Sequence, residues 1–334
     1  LLIGGAGQSL LAWFQFMFQT SLTSGKFAHL IGEQPISLWE TGISYVWVFG
    51  QKIIRPYGTF PHPNVMAAYL AVSLLGGIQV LARIKELRWS VWARSCSYIS
   101  LAVILGTIGL SLSRLVWMVL AVWGVLTAVV WRKELMTALA RKRSSLQPRQ
   151  RIMLLLAGAT GMGALGFGMV FAWLRFATLW SYNAISLTGR VLLNDIALRM
   201  FVDHPFGVGL GNFTINLRMY DLTGLFTEVI QPVHNVFLLM LSETGLFGLA
   251  GFLLLLGSCL RILSREFATA YTAKQRLPRF LLYLASLGLL WLMFFDHFLW
   301  TLQQGQLMMW IALGFACALA RTGSTTEDTE SANS

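Results

Sequence analysis

His234 opens the stretch HNVFLLMLSETGLFG (234–248), at the mouth of an apolar run that continues to Leu260. Imidazole is the side chain whose ordinary titration lies nearest neutrality, so a histidine here could take a proton from a hydroxyl. A histidine that caps a helix would look the same, and on spacing alone that plainer reading is the better one. A second candidate is Arg190. The pattern from Thr188 to Asp203 is helical, with Leu192, Leu193, Ile196, Ala197, Met200 and Phe201 on one face. Arg190 is expected in the first turn, where a cation opposes the macrodipole beside free backbone N–H groups. No acid follows it at helical spacing, and the arrangement would suit phosphate. A solvated arginine is an equal reading on local grounds. Arg199 differs, because Asp195 and Asp203 flank it at i±4 and give it a structural role.

Three further groupings could position such chemistry. The string after His204, Pro205-Phe206-Gly207-Val208-Gly209-Leu210-Gly211-Asn212-Phe213, looks superficially like a nucleotide loop. A helix precedes it rather than a strand, so the reading is a side-chain-free turn through which backbones can approach closely. Arg55-Pro-Tyr-Gly58-Thr59 runs on to His62-Pro63-Asn64 at a predicted helix mouth, and Ser111-Leu112-Ser113-Arg114 interrupts an apolar hairpin.

The elements that must hold these residues are set by composition. Hydrophobic residues make up 56% of 334 positions, charged ones 12%, and mean hydropathy is +0.65. That balance specifies an all-α polytopic membrane protein. Apolar runs bounded by charge predict eight spans, near 1–22, 64–82, 95–111, 115–131, 152–172, 235–260, 280–295 and 304–320. The chain opens inside an apolar stretch without Met or a cleavable leader, and earlier helices are expected to precede it.

Charge fixes the expected orientation. Loops on one side carry 17 of the 25 basic residues against six acids, while the other side holds eight of each, so the net +11 lies on one face. By the positive-inside rule that face is cytoplasmic, and the basic balance reports topology rather than nucleic-acid binding. Cys96, Cys259 and Cys317 then fall near cytoplasmic helix ends, where no disulfide framework is expected. All five histidines, His29, His62, His204, His234 and His297, fall outside. Two outer loops, 23–63 and 173–233, are too long to be plain connectors. Residues 1–321 read as one transmembrane domain, and 322–334 as a disordered cytoplasmic tail.

Taken together, His234-Asn235 followed by nine residues and Gly245-Leu-Phe-Gly248 resembles the signature of the O-antigen ligase/polymerase family. Thr188-Gly189-Arg190, the HPFGVGLGNF segment, the Arg55–Asn64 stretch, Ser113-Arg114 and FFDHFLWTLQQGQLMMW (294–310) are similar to further segments of that family, in the same order. The resemblance runs from about residue 50 to 320. Leu115 stands where many relatives carry a small residue. The resemblance implies a GT-C-like membrane fold and transfer of a glycan from a polyprenyl-diphosphate-linked donor to a glycan, lipid or protein acceptor, at the outer side of a bacterial inner membrane.

That chemistry has definite needs. A diphosphate is a good leaving group, so its departure needs cations rather than a strong acid. The outer acids (Glu33, Glu40, Asp195, Asp203, Asp221, Glu228, Glu243, Asp296) show no Asp-x-Asp and no His/carboxylate cluster at ligand spacing. No metal or other cofactor is therefore expected. Arg190, Arg114 and Arg55 are the expected diphosphate ligands, with Arg218 weaker, and His234 is the expected base. The result is a metal-independent, inverting single displacement. Asn64, Asn235 and Glu243 would support it. Glu243 lies about 13 Å into its helix, too deep to face lipid, and would either pair with Arg114 or bind an acceptor, structural pairing being the better reading. Gly245, Gly248 and Gly251 read as a ridge for helix packing. The alternative is a transporter of a small anion such as bicarbonate. It should show paired charges within several spans or broken helices at the midplane, whereas the conspicuous residues here cluster on an outer loop.

Overall fold

In the computed structural model the described residues are 1–23, 30, 32–37, 42–48, 51–84, 86, 89–134, 136, 184–226, 230–270, 272–315 and 318. They form helices α1 (Leu2–Phe18), α2 (Pro63–Ala82), α3 (Val91–Leu110), α4 (Arg114–Val130), α5 (Ala184–Asp203), α6 (Phe213–Tyr220), α7 (Val236–Ala268), α8 (Ala273–Met293) and α9 (Phe298–Thr301). A last helix, α10, covers 303–315.

The all-α expectation needs one amendment. Strands β1 (Tyr45–Val48) and β2 (Gln51–Ile54) pair antiparallel, Tyr45 opposite Ile54, inside the first long loop. β-branched and aromatic residues (Tyr45, Val46, Trp47, Val48, Ile53, Ile54) favour that hairpin over a helix.

Helix starts follow the side chains that can serve backbone N–H groups. Ser90, Thr272 and Asn235 accept from the first turns of α3, α8 and α7, and His62 does so for α2 with Pro63 as its first residue. α2, α3, α7 and α8 are long and apolar enough to cross a membrane, and the protein is multi-pass. α1 and α4 have 17 residues each and α10 has 13. The expected span 152–172 lies outside the described residues. α7 and α8 also run past the apolar stretches that predicted them. Arg261, Arg265 and Arg276 are good helix formers, so the helices continue beyond the apolar core. There Arg279 Nη2 meets Glu266 Oε2 at 3.2 Å.

The chain divides into two compact units, one of residues Leu1–Trp117 with Arg190–Ser334, the other Met118–Gly189. In the first, α1 packs on α2 and α3, which pack on each other, and α8 packs on α2 and α7. α1 also carries two glutamines facing the first loop. Gln15 is 1% exposed; its Oε1 accepts from Tyr57 N and Gly58 N, and its Nε2 donates to Gly58 O and Glu33 Oε1. Gln8 binds Thr59 through both backbone N–H and hydroxyl. These amides fix the Arg55–Thr59 segment on α1, and every buried polar atom of Gln15 is satisfied.

The second loop builds its own core. Leu193, Ile196, Ala197 and Met200 of α5 pack with Phe213 and Leu217 of α6 and with Phe226, Val233 and Leu239. Burial of side chains this size contributes about 1.5–3 kcal/mol each, enough to hold a cap with no membrane around it. The predicted apolar face of the 188–203 helix is the face buried here. The Arg199–Asp195 pair forms at 2.8 Å and is solvent-exposed, while Asp203 bonds Tyr220 instead.

Candidate active site

Asn64 sits at the start of α2, where His62 Nδ1 accepts its backbone N–H at 3.1 Å. The Asn64 side chain is buried and has a partner at both ends. Its Oδ1 accepts from Arg55 Nη2 at 2.8 Å and from Ser113 Oγ at 3.1 Å, and its Nδ2 donates to Asp296 Oδ2 at 3.1 Å. Two donors on one oxygen and a carboxylate opposite the nitrogen leave only one orientation for this amide. Arg55 is 7% exposed and spends its donors within the protein: Nε on Ser111 O, Nη1 on Ser44 Oγ, Nη2 on Asn64.

Asp296 lies between α8 and α9. Its Oδ1 accepts the backbone N–H of His297 at 2.9 Å, and the same oxygen lies 3.7 Å from His234 Nδ1. That is ion-pair distance, longer than a hydrogen bond. His297 stacks beside His234 with ring centroids 5.1 Å apart, its Nδ1 held by Thr301 Oγ1 at 2.6 Å. His234 is thus set by α7 behind it and by the α8–α9 turn in front. Asn235 ties these together: Oδ1 caps Phe237 and Leu238 N, and Nδ2 donates to Phe294 O.

The electrostatics follow from burial and crowding. Burial, reinforced by Arg55, pushes His62 down to about 4. His297 also falls to about 4, by burial first, with His234 and Arg190 adding to it against the pull of Asp296. Burial works against a charged Asp296, but the His234 side chain, helped by His297 and His62, outweighs it and holds the carboxyl below the usual range. One carboxylate therefore faces a group of imidazoles, with arginines at its margins.

Several expectations change against this geometry. α5 begins at Ala184, so Arg190 stands two turns in rather than in the first turn, and the argument from dipole and free N–H groups falls away. What recommends Arg190 is position: its charge acts on His297, and among the described residues it forms no ion pair. Arg114 starts α4 beside Ser113 and is half-buried. Arg218 is exposed in the last turn of α6.

Glu243 serves neither Arg114 nor an open pocket. Its Oε1 accepts from Phe213 N at 3.1 Å, and Gly211 N also bonds it, so it caps the start of α6. The glycine ridge is likewise something else. Gly245 has φ 68° and ψ −167° and breaks α7. The α5–α6 turn enters that break: Leu246 N donates to Pro205 O at 3.1 Å, Val208 N to Ser242 O at 2.9 Å and Gly209 N to Glu243 O at 2.9 Å. A Cβ on Gly245 would stand 2.3 Å from Pro205 O, and one on Gly207 2.3 Å from Glu243 O, while Gly251 faces open space. The two glycine motifs, read separately in the sequence, are the two halves of one contact.

His234, Asp296 and His297 also correct the expectation that no His/carboxylate cluster exists. Their ligand atoms lie within 4.8 Å of one another, and the set could hold a transition metal. Asp296 and His297 carry no mutual spacing with His234 in sequence that would have revealed it. His62, Ser113, Asp296 and His297 stand in the site without being among the expected site residues. The buried acid next to a histidine in FFDHF was the available signal.

These features define a multi-pass membrane protein with a histidine-centred site at one mouth of its helices. A profile of the O-antigen ligase family matches residues 99–253, from α3 into α7, and this similarity supports an enzymatic, glycan-transferring function. No curated protein matches the chain. The matched segment contains His234, Arg190, Arg114, Glu243 and Gly245; Arg55, Asn64 and Asp296 lie outside it.

Proposed function

We propose that the chain transfers a glycan from a polyprenyl-diphosphate-linked donor to an acceptor hydroxyl at the outer face of the inner membrane, with His234 as base. The observation that carries this reading is the His234–Asp296 pair, fixed through Asn64 and Arg55 at the mouth of α2 and α7. His234 Nδ1 faces Asp296, so Nε2 is the nitrogen that accepts the acceptor's proton. The hydroxyl oxygen bonds the anomeric carbon as the carbon–diphosphate bond breaks, and the electron pair leaves on the diphosphate. Arg190, joined by Arg114, stabilises that charge. A single displacement of this kind inverts the anomeric centre. Arg55 is assigned to positioning, because its guanidinium holds Asn64 and Ser111.

The test is transfer from a purified polyprenyl-diphosphate donor by the detergent-solubilised protein, with and without chelator. Transfer that persists in chelator and is lost in His234→Ala is the expected result. Activity that vanishes with chelator would overturn the metal-independent route and turn attention to His234, Asp296 and His297 as ligands. Near-normal transfer by His234→Ala would overturn the base assignment.

A further inference from the structure

The cap formed by α5 and α6 buries one apolar face in its own core and leaves a second one open. Val202 is 72% exposed, Phe206 78% and Leu222 81%. Leu198 and Val202 of α5 and Met219 and Leu222 near α6 border an open groove of about 470 Å³, with Arg199, Asp203 and Tyr220 along it. Large apolar side chains gathered in an exposed patch, here interleaved with Asp195, Arg199 and Asp203, mark an interaction site.

The break in α7 supplies a ruler for what covers it. The turn between α5 and α6 is bonded to α7 at Ser242, Glu243 and Leu246. From Leu246 to Leu260 there is no charge, and Arg261 is the first charged residue towards the far end. Gly245 to Arg261 spans about 24 Å of helix, against a hydrocarbon thickness of about 30 Å. With Arg261 at the inner edge, the turn lies about 6 Å inside the outer edge. A snorkelling Arg261 would bring it level with that edge. The apolar surface is also continuous with the lipid-facing side of α7, since Phe206 stacks on Phe247 (ring centroids 6.1 Å, interplanar 17°), which is itself 73% exposed.

We infer that the α5–α6 turn is a membrane-seated foot: Phe206 and Val202 enter the outer leaflet, and the groove walled by Met219 and Leu222 lies at the headgroup boundary. Arg199 and Tyr220 then meet headgroups, as amphipathic side chains do at an interface. This seating is a property of the fold and stands independently of the glycan-transfer reading.

The test is spin labelling of the full chain in liposomes of phosphatidylethanolamine and phosphatidylglycerol, with Cys96, Cys259 and Cys317 replaced by serine. Labels at Phe206→Cys and Val202→Cys are compared with one at Thr223→Cys. At 206 and 202 the ratio of collisions with oxygen to collisions with a water-soluble nickel chelate should be several-fold higher than at 223. Equal nickel access at all three would put the turn in water and overturn the inference. Protection from both reagents would show that protein covers the turn, such as a second copy of the chain, and would also overturn it. Val202→Cys carries the reading if Phe206→Cys does not fold.

Discussion

At the residue scale, the site depends on a carboxylate that no local motif announces. His234 was legible because it stands at the edge of an apolar run with a fixed distance to a glycine pair. Asp296 was not, because its partners Asn64 and His234 are brought to it only by the packing of α8 on α2 and α7. His234→Ala should lower transfer by on the order of 10²–10⁴ while the protein still accumulates in the membrane. Asp296→Asn keeps the hydrogen bond from Asn64 within reach but removes the charge facing His234. Its rate should fall between wild type and His234→Ala, with donor binding unchanged in a direct binding assay. The depressed histidines add a pH dependence. His62 and His297 titrate at about 4 in the fold and near 6.5 when unfolded. Between these values the unfolded chain binds protons that the fold refuses, so stability is complete at pH 7 and falls as pH drops towards 4. Thermal unfolding in detergent should show that slope, and His297→Gln should flatten it. Asp296 acts only below the ordinary carboxylate range and leaves this window unaffected.

At the scale of elements, periodicity found the body of α5 and placed Arg199 with Asp195, and apolar runs found α2, α3, α7 and α8, four of the eight expected spans. Periodicity could not find the break in α7, since a glycine at position 245 reads equally as a small residue for helix packing. Only the φ of 68° and the arrival of Pro205 separate these. Gly245→Ala should therefore destabilise by roughly 3 kcal/mol or more, because the Cβ meets backbone and the conformation is strained. Gly251→Ala, with nothing within 4 Å of its Cβ, should be neutral or mildly stabilising. Comparable losses in both, measured as residual folded protein after heating, would restore the ridge. Arg199→Ala, in an exposed pair, should cost well under about 1 kcal/mol. Arg190 is not in a first turn because the helix runs back to Ala184, a start that Asn183, a residue type favoured just before helices, signals in the sequence better than Thr188 does.

At the scale of the whole molecule, charge asymmetry predicts which mouth faces outward, and every site residue described above lies at the mouth opposite the Arg261, Arg265 and Arg279 end of α7 and α8. A cysteine introduced at Thr223 should react with an impermeant thiol reagent on intact cells, and one at Ser90 only after permeabilisation. The reverse pattern would invert the protein and move the site to the cytoplasm. Native Cys259 is no reporter of this, being buried at 3% exposure.

The joint between the α5–α6 turn and α7 also orders the biogenesis of the protein. Residues 205–213 leave the ribosome before 236–268, so the turn is made before its partner helix arrives at the bilayer. α7 reaches its final broken form when that segment offers Pro205 O to Leu246 and two N–H groups to Ser242 and Glu243. Until then a continuous helix is the sole way for its backbone to be satisfied in lipid. Breaking α7 and seating the loop are thus coupled, and the joint lies eleven residues beyond His234 on the same helix.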